Sequence, residues 1–309
     1  MKNIIAIDLG SNSLRILKFD CEHKCKVGEF HQTVKTADGL AQTGEINGDA
    51  INRVVDALNV AKEELGFDDA TIKAVTTEAI RQAKNGEDVL KTIATQTGIV
   101  FEVIDGVREA KYALKAVQHR LTILGETPKS FMVADIGGGS TELLFHYGED
   151  KSFSKSFQVG IVTLTQKFKT LPEIANAIPV VMNPMKNYFN EVTAQHGEVE
   201  LFIATAGTPT TVAAMKLGMQ YATYDADKIH GTKLTQKELT MQLMRLLQMS
   251  QEERVEAVGV GRDDLIASGI LIYDELYTIG SFQESMVIDD GIREGVAFDE
   301  CEKSYKEER

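Results

Sequence analysis

Cysteine is scarce in this chain. Three residues in 309 do not read as a disulfide framework. Cys21, His23 and Cys25 cluster in Cys-Glu-His-Lys-Cys, but no second ligand pair follows, so the stretch reads as a hairpin tip rather than a metal knuckle. His-Glu-x-x-His does not occur, and His119, His146, His196 and His230 are scattered. No apolar run approaches the roughly 20 residues that a membrane-crossing helix needs. Residues 3–9 are apolar, but the run is short and Asp8 interrupts it, so it does not read as a leader. The expectation is a cytoplasmic protein with no membrane partner. Basic charge is in deficit, with 33 Lys+Arg against 46 Asp+Glu and a net charge of −13. That argues against nucleic acid, whose phosphates want a basic face. It does not exclude a small polyanion, because repulsion fades over a Debye length of about 8 Å. Gly-x-x-x-x-Gly-Lys-Ser/Thr is missing, which removes the P-loop route to phosphate. Hydrophobic residues at 43% and charged ones at 26% are ordinary for a globular protein. The length suggests two domains, each large enough to bury a core.

What is present is a repeated glycine device. Asp135-Ile136-Gly137-Gly138-Gly139-Ser140-Thr141-Glu142 lies between the apolar runs 131–134 and 143–145, and reads as strand, tight turn, strand. Three glycines free the backbone and let a ligand approach its N–H groups. Successive N–H groups in such a turn make a concave anion site. Asp135 and Glu142 bracket the turn with hard oxygen ligands suited to Mg²⁺. The plainer reading is a glycine-rich hairpin with two exposed acids. The same grammar opens the chain: an apolar strand, then Asp8-Leu9-Gly10-Ser11-Asn12-Ser13, then a second strand through Arg15. A repeat of this length implies two similar domains, not a solenoid. Two such hairpins facing each other across a cleft would form one site.

The rest of the pattern supports a duplication. After a third strand over 26–36 comes a loop, then helical spacing at Ile51, Val54, Val55, Leu58 and Ala61, with Asp49 as the expected N-cap. Strand 71–76, helices 77–84 and 87–97, strand 99–104 and helix 107–121 complete β-β-β-α-β-α-β-α. Gly125 to Pro128 punctuates the chain, and the order restarts at Phe131. Three of the five prolines, at 172, 179 and 184, predict a loop or broken connection there. The expected domains are 1–124 and 125–291. A C-terminal helix over about 292–309 would pack back on the first, and the charged end from Glu300 would be solvated. Crossings near 123–128 and 289–292 would let the domains open and close.

These residues resemble the actin, sugar-kinase and Hsp70 ATPase superfamily, and within it the exopolyphosphatase and guanosine-pentaphosphate phosphohydrolase (Ppx/GppA) family. The resemblance rests on six stretches in order: 6–13, 77–83, 104–110, 135–142, 207–211 and 289–295. It implies an α/β fold of two ribonuclease-H-like (actin-like ATPase) domains with an interdomain cleft, in the short two-domain form. It also implies release of terminal phosphate from polyphosphate, or of the 5′-γ-phosphate from guanosine pentaphosphate to leave the tetraphosphate, with Mg²⁺ and with room for a homodimer.

Site roles follow residue by residue. In the family a glutamate at the position of Glu109 activates water; read alone, it is a first-turn acid that complements a helix dipole. The family usually has two adjacent acids there, whereas this chain has Arg108-Glu109. Arg108 is therefore either surface or added channel charge. Arg81 has the fork for bidentate phosphate contact, against a plain exposed helix arginine. Ser11, Asn12, Ser13 and Arg15, then Gly137, Gly138, Gly139, Ser140 and Thr141, then Gly207 and Thr208 are expected around substrate phosphates. Asp8, Asp135 and Glu142 are the expected metal ligands. Arg15 reads equally as a cross-strand residue, and Arg262 and Arg293 as salt-bridge residues. The competing functions are a small-molecule kinase and a non-catalytic nucleotide-binding switch. Retention of Glu109 favours hydrolysis over the switch.

Overall fold

Two sheets organise the protein. Its structure, a computed structural model, describes residues 3–148 and 151–307. Contacts divide the chain into two units, Met1–Val117 with Asp290–Arg309, and Gln118–Asp289. In the first unit β1 (Asn3–Leu9), β2 (Ser13–Asp20) and β3 (Cys25–Thr33) form an antiparallel meander. Then come α1 (Leu40–Thr43), α2 (Gly48–Leu65) and β4 (Ala70–Thr76), which runs parallel to β1. α3 (Glu78–Gln82), α4 (Gly86–Thr97), β5 (Phe101–Val103) and α5 (Gly106–Leu124) follow. The sheet order is β3-β2-β1-β4-β5. β1 is apolar on both faces because both are covered. Ile5, Ile7 and Leu9 pack with Val54, Leu58 and Ala61 of α2, while Ile4 and Ala6 join Leu17 and Phe19 on the opposite face. The N-cap of α2 is Asn47, whose side chain accepts from the Ala50 amide at 2.8 Å. Asp49, expected as the cap, falls in the first turn, where its carboxylate still complements the helix dipole.

The second unit repeats the plan. β6 (Ser130–Ile136), β7 (Thr141–Tyr147) and β8 (Lys151–Phe157) form its meander, and α6 (Ile161–Lys167), α7 (Leu171–Val181) and α8 (Asn183–His196) follow. β9 (Leu201–Thr205), α9 (Gly207–Lys216), α10 (Ala226–Ile229), β10 (Thr232–Leu234), α11 (Gln236–Gln248), α12 (Gln251–Val258), α13 (Ile266–Gly280) and β11 (Ser285–Val287) complete it. In the sheet order β10-β11-β9-β6-β7-β8, the five strands from β8 to β11 repeat the first sheet. β10 is an added antiparallel edge. The fold is α/β, with two similar ribonuclease-H-like halves.

The proline-bearing stretch is helical, contrary to the sequence expectation. Thr170 and Glu173 form a capping box at the start of α7, and Pro172 and Pro184 lie in the first turns of α7 and α8. A first-turn proline loses no helical hydrogen bond and arrives with the right φ. Pro179 falls in the last turn of α7, which ends two residues later.

The last helix, α14 (Ile292–Glu307), belongs to the first unit. Glu308 and Arg309, the end of the expected solvated stretch, lie outside the described residues. Val296 and Ala297 of α14 pack with Ile4, Ala6, Leu17 and Phe19. Gly295 is held so close to α5 that a Cβ there would sit 2.0 Å from the Tyr112 carbonyl oxygen. This return corrects the cysteine reading: Cys21 and Cys301 form a disulfide with Cα atoms 5.4 Å apart. Their separation of 280 positions hid the pairing. Cys25 is the exposed free thiol beside the hairpin turn. No helix among the described residues is long and apolar enough to cross a membrane.

Candidate active site

The two glycine hairpins close in the same way. The Gly10 amide donates to the Ser13 carbonyl at 3.0 Å, and the Gly137 amide to the Ser140 carbonyl at 3.0 Å. Asp8 lies opposite Arg15 in the β1–β2 register, and Asp135 lies opposite Glu142 in β6–β7. Directly opposed residues share a sheet face, with Cβ atoms roughly 5 Å apart. Arg15 thus stands across the strand pair from an acid, beside the first loop.

The loop carbonyls turn inward in both units. In the second, Gly137 and Gly138 oxygens accept from the Ile161 and Val162 amides at the start of α6. A Cβ on Gly160 would meet the Gly138 oxygen at 2.4 Å, so this contact needs glycine. The Gly138 and Gly139 amides find no acceptor among the described residues. Turned-out amides of this kind form an anion cradle. In the first unit the Asn12 oxygen accepts from the Val34 and Lys35 amides, and the Ser11 oxygen from Ala37. Asn12 and Ser13 are half-exposed and Ser11 is buried.

Not every hydroxyl near these loops faces outward. Ser140 Oγ donates to Glu142 Oε1 at 2.6 Å, and Ser156 Oγ donates to the same oxygen at 2.7 Å. Thr141 is fully buried, and its hydroxyl donates to the Val159 carbonyl at 2.6 Å. The structure makes it a tie between β7 and the approach to α6 instead of a phosphate ligand.

Glu109 sits where β5 hands over to α5. Asp105 caps the helix, its carboxylate accepting from the Arg108 amide at 2.9 Å. Glu109 lies in the first turn and is buried, with 7% of its surface exposed. Arg81, on α3, donates from Nη1 to Glu109 Oε2 at 3.2 Å and to the Ile104 carbonyl at 2.5 Å. Its Nε donates to Glu78 Oε2 at 3.0 Å, and Nη2 reaches the same oxygen. Burial works against the Arg81 cation, but Glu78 and Glu109 outweigh it, and the guanidinium is held above its ordinary value. The structure thus brings together Arg81 and Glu109 and adds Glu78, which the sequence reading missed. Its only signal was the three-residue spacing to Arg81.

Arg108 points elsewhere. It pairs with Glu102 of β5 and donates to the Tyr112 hydroxyl at 3.0 Å, with its charge 5.7 Å from that ring centre. Hydrogen bonds from Arg108, then Lys73, pull the Glu102 carboxyl down to about 2. That stabilisation is present above the ordinary carboxylate range and is lost as pH falls towards 2. Glu102 is well exposed, so Glu102→Gln should cost less than about 1 kcal/mol near neutrality, and the deficit should vanish in acid denaturation titrations.

The third loop follows β9. Ala206 has φ 71 and ψ −170, a region that only glycine occupies without strain. Sequence reasoning missed this residue, since alanine gives no sign of it. Gly207 and Thr208 then open α9 with backbone N–H groups of the type that bind phosphate. The Thr208 side chain is buried against α13; a Cβ on Gly269 would lie 2.2 Å from its hydroxyl. Arg262 donates to the Thr211 hydroxyl at 3.3 Å, and Arg293 pairs with Glu294 and with Glu29, the latter at 3.0 Å.

The model of the Ppx/GppA phosphatase family matches residues 19–304. The chain belongs to that family. Among curated relatives of this Ppx/GppA protein is exopolyphosphatase 2 of Mycobacterium tuberculosis, 30% identical over 297 residues that cover 89% of this chain and 90% of the relative. A guanosine-5'-triphosphate,3'-diphosphate pyrophosphatase of Photobacterium profundum is 25% identical, over 96% of this chain and 59% of that protein. The Ppx/GppA enzyme of Aquifex aeolicus is 30% identical with a TM-score of 0.75, covering 96% of this chain and 98% of the other. An exopolyphosphatase from Cytophaga hutchinsonii shares the fold at TM-score 0.84, 22% identity and 98% coverage of both chains.

The acids of this Ppx/GppA chain suit Mg²⁺ in one particular mode. No three His, Cys, Asp or Glu side chains converge among the described residues, so a cage built wholly from protein is not offered there. Mg²⁺ is commonly held by one or two carboxylates, with waters and substrate phosphates completing the octahedron. The opposed Asp135 and Glu142, with Glu142 fixed by two serine hydroxyls, match that donor set. Asp8 stands across the β1–β2 register from Arg15 and not from a second acid.

Proposed function

We propose that this Ppx/GppA protein hydrolyses terminal phosphoanhydride bonds, either at the end of linear polyphosphate or at the 5′-γ-phosphate of guanosine pentaphosphate. The two substrates require the same bond cleavage. Similarity to the Mycobacterium exopolyphosphatase and to the Photobacterium guanosine-5'-triphosphate,3'-diphosphate pyrophosphatase supports both. The observation that carries the reading is Glu109, a buried acid in the first turn of α5, held by Arg81. A carboxylate so held can take a proton from water as its oxygen attacks phosphorus. Ser11, Asn12, Ser13 and Arg15 bind phosphate in the first unit. The amides of Gly138 and Gly139, and the backbone of Gly207 and Thr208, do so in the second, where the Gly137 amide and the Ser140 carbonyl close the turn that presents them. Asp135 and Glu142, with Asp8, would hold Mg²⁺, which supplies charge neutralisation on the phosphate oxygens. The cytoplasmic location and the homodimer belong to the same proposal.

Parallel phosphate-release assays on linear polyphosphate and guanosine pentaphosphate test it. Release from at least one is expected with Mg²⁺, lost in EDTA and restored by excess Mg²⁺. No release from either substrate would overturn the activity. Undiminished release in EDTA would overturn the metal assignment alone.

A further inference from the structure

The Arg81 guanidinium is almost fully engaged by the protein. It has five N–H donors. Nε and one Nη2 hydrogen go to Glu78, and the two Nη1 hydrogens go to Ile104 and Glu109. One donor is left, so Arg81 cannot present a two-pronged fork to phosphate without breaking a contact. Glu78 is itself buried, and its second oxygen accepts from the Gln82 side chain. Gln82, Glu78, Arg81 and Glu109 thus form one chain from α3 to α5, braced at the end of β5.

We infer that Glu78 is a positioning residue for the hydrolysis, acting through Arg81 on Glu109. The inference rests on the proposed function. Glu78 takes two N–H groups of the guanidinium and fixes the edge turned towards α5. To Glu109 the guanidinium gives one bond, from Nη1 at 3.2 Å, longer than its 3.0 Å bond from Nε to Glu78 and its 2.5 Å bond to Ile104. Without Glu78 the fork is free to turn onto Glu109 and form the paired geometry that arginine prefers with carboxylates. That would make Glu109 a weaker base and misalign it. A plain helix-surface pair at this spacing would stay within its helix and in water. Here both partners are largely withdrawn from solvent, and Arg81 reaches out of α3 to Ile104 and Glu109.

The test is a cycle of E78Q, R81K and the double variant, assayed for phosphate release from linear polyphosphate with Mg²⁺. E78Q should lower kcat on the order of tenfold, because a neutral amide oxygen holds the two N–H groups of Arg81 far more weakly than the carboxylate and lets the fork turn, with KM within about twofold, because residue 78 does not touch substrate. In the R81K background the same change should add less than about a twofold loss, because the two residues act as one unit. A wild-type kcat for E78Q, or losses that multiply in the double variant, would overturn the inference. If E78Q fails to fold by circular dichroism, E78D enters the same cycle. It keeps the charge but withdraws the carboxylate by one methylene, and the same outcomes decide. E109Q is run alongside. An inactive E109Q with unimpaired E78Q defeats only this inference, whereas an active E109Q defeats the proposed base and the inference together.

Discussion

Glu109→Gln should reduce phosphate release by about 10²–10⁴-fold, the usual contribution of a general base. The substitution keeps size and shape. Its amide oxygen can still accept from Arg81, so the bonds from Arg81 to Glu78 and Ile104 have no reason to change. What is lost is the capacity to hold a proton from the attacking water. The loss should therefore appear in kcat, with KM close to that of the wild-type protein, since phosphate binding is assigned to other groups. Phosphate release under saturating polyphosphate, with circular dichroism of both proteins, is the measurement. A variant that retains the wild-type rate would sink the assignment of the base.

The second large effect concerns the disulfide. Cys301→Ser is expected to destabilise the first unit by about 2–5 kcal/mol, because the cross-link closes a very long loop and restrains the unfolded chain. The bond joins α14 to the turn after β2, and both cysteines belong to the cluster built on Ile4, Ala6, Leu17 and Phe19. Urea unfolding of wild type and variant, each with and without reductant, would measure it. Reductant should weaken the wild-type protein and leave Cys301→Ser unchanged. Thiol titration of the unfolded, unreduced protein should find Cys25 alone. Reaction of all three cysteines would refute the cross-link. The same titration bears on location, because a reducing cytosol opens such bonds in most proteins.

How much could be read beforehand depended on distance along the chain. The hairpins at Asp8–Arg15 and Asp135–Glu142 were legible because a tight turn is written in adjacent residues. Glu109 was legible only through the family resemblance, and its bond to Arg81 spans 28 positions. Cys21 and Cys301 are ten times further apart, and neither carries a local sign of the other. The prolines misled for the opposite reason: they are local signals, but Pro172 and Pro184 fall where a helix accepts proline without penalty. The direction of the Thr141 and Thr208 side chains was not legible, because the sequence gives a hydroxyl but not where it turns. Thr141 turns to Val159, and Thr208 lies under Gly269.

The placement of α14 has a consequence for the protein as it is made. Residues 118–289 form a contiguous unit, whereas the other unit is assembled from both ends of the chain. At ribosomal rates of about 5–20 residues per second, the β1–β4 sheet waits roughly 10–40 s for the helix that completes it. During that interval the side of the sheet carrying Ile4, Ala6, Leu17 and Phe19 lacks Val296, Ala297 and Cys301. The nascent polypeptide therefore carries an apolar surface that it cannot cover by itself until α14 has been made. That surface is where chaperone capture or self-association of the growing chain would begin.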